Sequence, residues 1–71
     1  MNPTAVRLIA PLSRRQIALV ACLIDGLGSA EAAQALGVNR RTEMLDMRKV
    51  RKVLGARNRQ HAAAIAGGLA A

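Results

Sequence analysis

The sequence predicts an all-α domain of four helices that follow a short N-terminal arm. Glycines and capping residues divide the chain into helical stretches, and no stretch shows the alternation of apolar and polar residues that is typical of strands. The length of 71 residues suits one domain, which buries only about 60% of the surface that the unfolded chain exposes. Because the chain has no aromatic residue, aliphatic side chains must fill a thin core, and we expect a partner to add stability.

The arm is predicted over residues 1–11 and the domain over residues 12–71. The first helix begins after Ser13, which forms a capping box with Gln16 three residues later. Gly26 ends this helix, because glycine readily adopts the backbone conformation that follows a helix.

Three more helices are bounded in the same way by glycines and capping residues. The second covers residues 29–36 and is rich in alanine, and Gly37 then turns the chain. The third is capped by asparagine and covers residues 39–54, ending at Gly55. The fourth, also capped by asparagine, covers residues 58–68. A short alanine-rich helix, a glycine turn and a longer basic helix predict a helix-turn-helix.

The charge balance favours a polyanionic partner. Eleven Lys and Arg stand against four Asp and Glu, a net charge of +7. Cys22 and His61 are the single cysteine and histidine, so we expect a buried apolar role for Cys22 and neither a metal nor a cofactor. The carboxylates and the lone histidine predict no enzymatic site. The apolar run of residues 17–24 is too short to cross a bilayer, and we expect a cytoplasmic protein without membrane contact.

The predicted third helix separates into two faces. Met47, Val50 and Leu54 recur at the spacing of a buried seam. The opposite stripe is suited to base edges and phosphates of a DNA major groove, and it consists of Arg41, Met44, Leu45, Arg48 and Lys52.

Arg48 is the predicted base reader, because a guanidinium can donate two hydrogen bonds to guanine. Met44 and Leu45 either contact thymine methyl groups or complete the core. Glu43 is expected at the helix margin, near water or an arginine.

Short motifs in a fixed order cover residues 12 to about 66. They are Leu12-Ser13 with Arg15 and Gly26, then Glu31 with Ala32-Ala33, then Leu36-Gly37-Val38, then Thr42, and finally residues 53–59, which read Val-Leu-Gly-Ala-Arg-Asn-Arg, with Ala62-Ala63. Their order and spacing resemble those of LuxR-type, or GerE-like, DNA-binding domains, whose closing motif reads Lys-Leu-Gly-Val-x-Asn-Arg. The ungapped run of residues 53–59 is the strongest part of the resemblance.

The resemblance implies a sequence-specific transcription regulator that binds double-stranded DNA, with a recognition helix of about residues 40–54 in the major groove. With the basic stripe, the candidate DNA-binding residues are Arg40, Arg41, Thr42, Met44, Leu45, Arg48, Lys49 and Lys52. The resemblance also implies a homodimer through the fourth helix, where the small apolar contact residues would be Ala62, Ala63, Ile65 and Ala66. A two-fold dimer predicts a palindromic site.

Two departures from the family pattern leave other partners open. The family's Thr-Val-Lys-x-His reads Thr-Glu-Met-Leu-Asp over residues 42–46, so an alternative function is a protein-interaction module that binds another regulator or a polymerase subunit through residues 44–47. The first helix is apolar nearly all round, with Ile17, Ala21 and Leu23 at positions that are commonly polar in the family. We expect the arm, a protein partner or a second copy of the chain to cover that face.

Overall fold

The computed structural model describes residues 3–70 and contains five α-helices and no strand in that range. These are α1 (Pro3–Ile9), α2 (Arg14–Ile24), α3 (Ser29–Leu36), α4 (Arg40–Leu54) and α5 (Arg59–Ala70). The all-α prediction is confirmed. The number of four helices is wrong, since most of the predicted arm is itself a helix.

The additional helix α1 is held by two side chains on one face. Ala5 and Ile9, four residues apart, are 0% and 7% exposed, and α1 packs against α4. Pro3 is its first residue, a position where proline is favoured because its missing N–H has no partner in a helix. A helix of seven residues is too short to be stable in isolation, so this contact is what holds it.

The predicted caps are confirmed at the starts of α2 and α4. The Ser13 hydroxyl accepts a hydrogen bond from the Gln16 N–H at 3.1 Å, and the Gln16 side chain accepts one from the Ser13 N–H at 2.9 Å. The Asn39 side chain accepts from the Thr42 N–H at 2.8 Å. At the end of α4, Gly55 has the left-handed φ of 70° that the sequence predicts there.

The predicted end of the last helix is wrong. Asn58 caps α5 by accepting a hydrogen bond from the His61 N–H at 2.8 Å, as expected, but the helix continues through Gly67 and Gly68 to Ala70. Neither glycine has a positive φ, and Leu69 packs against the core beyond them. Packing of the last turn therefore outweighs the weak helix propensity of glycine.

Helix α2 lies at the centre of the fold and packs against α3, α4 and α5. It contributes the buried residues Leu19, Val20, Cys22 and Leu23, and α4 contributes the predicted seam of Met47, Val50 and Leu54. The expected burial of Cys22 and of the seam is thus confirmed. Within residues 3–70, no helix has both the length and the hydrophobicity needed to cross a bilayer.

Candidate nucleic-acid interface

The candidate DNA-binding residues lie on the side of α4 that faces away from the core. Thr42 is half-buried, and the seven others are exposed: Arg40, Arg41, Met44, Leu45, Arg48, Lys49 and Lys52. At about 100° per residue, Arg41, Arg48 and Lys52 fall within about 40° of one another and roughly opposite the fully buried Val50. We call the seven exposed residues the outer face of α4.

Met44 and Leu45 belong to this outer face and not to the core. They are 60% and 50% exposed, the first of these being the largest exposure of any large apolar side chain in residues 3–70. The alternative that they complete the core is therefore wrong. The outer face combines cations with apolar surface.

Glu43 does not lie at the helix margin as expected, because its side chain points into the core between α3, α4 and α5. It is 0% exposed, and it follows the same helix face as Met47 and Val50. One carboxylate oxygen accepts a hydrogen bond from Arg59 Nη1 at 2.8 Å, and the other accepts one from the Ser29 hydroxyl at 2.8 Å. The expected arginine partner is present, but it is supplied by the first residue of α5, and the pair is buried.

Asp46, the second acidic residue of α4, also turns inward and is 4% exposed. Arg15 on α2 binds it with two donors, Nε at 2.5 Å and Nη2 at 3.1 Å, and Gln16 donates a third hydrogen bond at 3.2 Å. The hydrogen bond from Arg15 is the main reason why the pKa of Asp46 lies below its ordinary value; burial acts in the opposite direction and the Gln16 bond assists. Sequence reasoning missed this pair, because 31 residues separate its members.

A groove of about 380 Å³ runs beside the outer face of α4 and reaches the first residues of α3 and α5. Its lining includes Arg41, Arg48, Arg51 and Arg59. Only Arg59 among them is paired with a carboxylate in residues 3–70. Because Met44, Leu45 and Met47 line the same groove, basic and apolar residues border one space.

The predicted dimer residues on α5 separate into two pairs. Ala62 and Ala66 are 0% exposed and pack in the core of their own chain, so they have no surface left for a second copy, and this part of the prediction is wrong. Ala63 and Ile65 are half-buried against the same core and keep partial exposure. The small side chains of Ala62 and Ala66 thus allow α5 to pack closely on the other helices of the same chain.

Comparison of the chain with models of known protein families, with curated proteins and with solved structures gives no match.

Proposed function

We propose that this chain is a transcription regulator that binds double-stranded DNA sequence-specifically through a helix-turn-helix of LuxR type, acting as a homodimer. Helix α4 is the recognition helix, and its outer face enters the major groove. One observation carries the proposal: α4 sorts its charges so that every exposed charged residue on it is a cation.

The sorting follows from the two ion pairs. Helix α4 has two carboxylates, Glu43 and Asp46, and each is buried and held by an arginine from another helix. Five cations remain on the outer face, which runs along a helix of about 22 Å. Duplex DNA presents one negative charge per about 1.7 Å of its axis, so a face without carboxylates suits it. The two carboxylates of α4, which would repel phosphates if they were exposed, are thus paired with arginines inside the domain.

The joint between α3 and α4 supports the same function. Three residues connect the helices, and Gly37 turns the chain with a left-handed φ of 68°. Ala32 and Ala33 on α3 are buried at 0% and 3% exposure, and their small side chains allow α3 to pack closely on α4. A short bracing helix, a tight turn and a longer exposed helix are the parts of a helix-turn-helix.

Arg48 is the proposed base reader, because it lies at the middle of the outer face with no ion-pair partner in residues 3–70. Its fork can donate two hydrogen bonds to a guanine, which is worth about 1–3 kcal/mol of discrimination. Met44 and Leu45 flank it with apolar surface that suits thymine methyl groups.

The test is selection of bound sites from a random duplex library, followed by titrations of the enriched site over a range of salt concentrations. We expect an enriched palindrome, whose affinity falls by about 0.9 log unit per log unit of salt for each neutralised phosphate. Arg48→Ala is expected to weaken binding about 5- to 150-fold at the selected site and to relax its sequence preference. Arg7→Ala on α1 removes the same charge away from the outer face and serves as the matched control.

Two results would contradict the proposal. One is a library from which no sequence is enriched, with only weak, salt-sensitive binding. The other is an equal loss of affinity in Arg48→Ala and Arg7→Ala, because that result would assign binding to net charge and not to the outer face of α4.

The exposure of Met44 and Leu45 favours a second candidate function, a protein-interaction module that binds another regulator or a polymerase subunit through this face. Salt separates the two functions, because an apolar interface changes little with ionic strength whereas phosphate contacts weaken steeply. A partner whose binding is lost in Met44→Ala but persists at high salt would favour the module.

A further inference from the structure

Helix α2 carries a second apolar stripe on the side that faces away from the core. Ile17, Ala21 and Ile24 recur at i, i+4 and i+7 and are all exposed, with 40% exposure for each isoleucine. Leu23, which the sequence grouped with this face, is instead buried in the core at 2% exposure. Helix α1 packs on α4 and leaves the stripe open, so the arm does not cover it.

Opposite charges lie at the two ends of this stripe. Arg14 is the first residue of α2 and Asp25 is its C-cap, and both are exposed without an ion pair in residues 3–70. Both charges oppose the helix dipole, which favours acidic residues at the N-terminus and basic residues at the C-terminus. Within one chain, therefore, nothing in the described structure compensates either charge.

We propose that a second copy of this chain packs its own α2 antiparallel across the stripe of Ile17, Ala21 and Ile24. In this arrangement Ile17 contacts the partner's Ile24, and Arg14 faces the partner's Asp25. In an antiparallel pair, the N-terminus of each helix lies beside the C-terminus of the other. The dimer therefore contains two equivalent charge pairs, each between Arg14 of one copy and Asp25 of the other, and both charges that oppose the helix dipole gain a partner.

The spacing along α2 is consistent with a single two-fold axis. The midpoint of Ile17 and Ile24 and the midpoint of Arg14 and Asp25 differ by one residue. When Ile17 lies opposite the partner's Ile24, Arg14 is therefore offset from the partner's Asp25 by two residues, about 3 Å along the helix, which the long arginine side chain can span. Both midpoints lie beside Ala21, whose small side chain allows the helix axes to approach to about 8 Å. The same axis therefore serves the apolar contacts and the charge pairs.

The contact is expected to be weak and concentration-dependent. Helix α2 has eleven residues and a length of about 16 Å. A single pair of such helices buries less than the 1,200–2,000 Å² that is typical of stable interfaces, and an area below about 1,200 Å² is typical of weak, transient contacts. The proposal does not rest on DNA binding, and its test contains no DNA.

The test is sedimentation equilibrium of the full chain up to millimolar concentration, for the wild type and for Arg14→Asp and Asp25→Arg. We expect the wild type to dimerise, and each variant alone to associate at least about tenfold more weakly, because each substitution makes two charge pairs repulsive. An equimolar mixture of the two variants is expected to recover wild-type association, since both pairs of the mixed dimer are again attractive. Arg7→Asp on α1 makes the same charge change elsewhere and should leave association unchanged.

Misfolding does not provide an alternative explanation for weaker association. Both substitutions place a favourable charge at their end of α2 with respect to the helix dipole, so each isolated domain should be at least as stable as the wild type. A monomeric wild type at millimolar concentration would overturn the proposal. So would a mixture of variants that associates no better than either variant alone, or an equal loss in Arg7→Asp.

Discussion

Arg59→Met is expected to destabilise the domain much more than Glu43→Val, although the two substitutions break the same ion pair. The Glu43 side chain is 1% exposed, whereas that of Arg59 is 26% exposed. Removal of Arg59 leaves a buried carboxylate with the Ser29 hydroxyl as its remaining partner, and an uncompensated buried charge of this kind costs about 3–5 kcal/mol. At about 0.05–0.15 kcal/mol per residue, a chain of 71 residues has roughly 4–11 kcal/mol of stability. The loss is therefore a large fraction of the total.

Glu43→Val has a smaller expected cost of about 1–3 kcal/mol. The freed guanidinium of Arg59 is close enough to the surface to turn toward water, and valine suits a position beside Met47 and Val50. Arg59 Nε is buried without a hydrogen-bond partner even in the intact pair, which lowers the net benefit of that pair. The double variant Glu43→Val with Arg59→Met should thus lie within about 1–2 kcal/mol of the wild type.

Urea unfolding followed by far-ultraviolet circular dichroism measures these free energies, because a chain without aromatic residues offers no fluorescence signal. The double-mutant cycle should give a coupling energy of about 2–3 kcal/mol or more. Equal losses in the two single variants, or strictly additive losses in the double variant, would refute the reasoning from burial.

Two further predictions concern acid stability and the glycines. The pKa of Asp46 is lower in the folded chain than its ordinary value of 3.8, so its ion pair with Arg15 contributes stability above that value and loses it as pH falls through the folded pKa. Urea midpoints from neutral to acidic pH should therefore fall less steeply below about pH 4 in Asp46→Asn than in the wild type, and parallel curves would contradict this. A Cβ added at Gly55 or Gly67 meets no atom within 4 Å. Gly55→Ala should nevertheless lower the free energy of unfolding by about 1–2 kcal/mol, because the φ of 70° is strained for alanine. Gly67→Ala should raise it by about 0.5–1 kcal/mol, because Gly67 lies within a helix. Thermal unfolding checks both, and shifts of the same sign would contradict the argument.

The two ion pairs link the fold of the domain to the surface that we propose for DNA. Arg15 and Arg59 come from α2 and α5, and each holds one carboxylate of α4, so the pairs fasten α4 to both of these helices. They also remove negative charge from the outer face of α4. A substitution such as Arg59→Met therefore tests stability, whereas Arg48→Ala tests the exposed surface alone.

The sequence by itself determined the all-α class and the bounds of α2, α3 and α4. These depend on interactions between residues at most five positions apart, such as the Ser13 and Gln16 capping box and the helix end at the left-handed Gly55, so the residue types alone indicate them. The sequence also predicted that Met47, Val50 and Leu54 form a buried seam, because helical spacing places them on one face.

Only the tertiary structure decided what lies against those faces. It made a helix of residues 3–9 by packing them on α4, and it filled the interior with Ala62 and Ala66, which the sequence had assigned to a dimer contact. It also turned Glu43 and Asp46 inward, toward arginines that lie 16 and 31 residues away along the chain. Local spacing carries no information about such partners, because the free energy of a buried charge depends on which groups the packed helices bring to it.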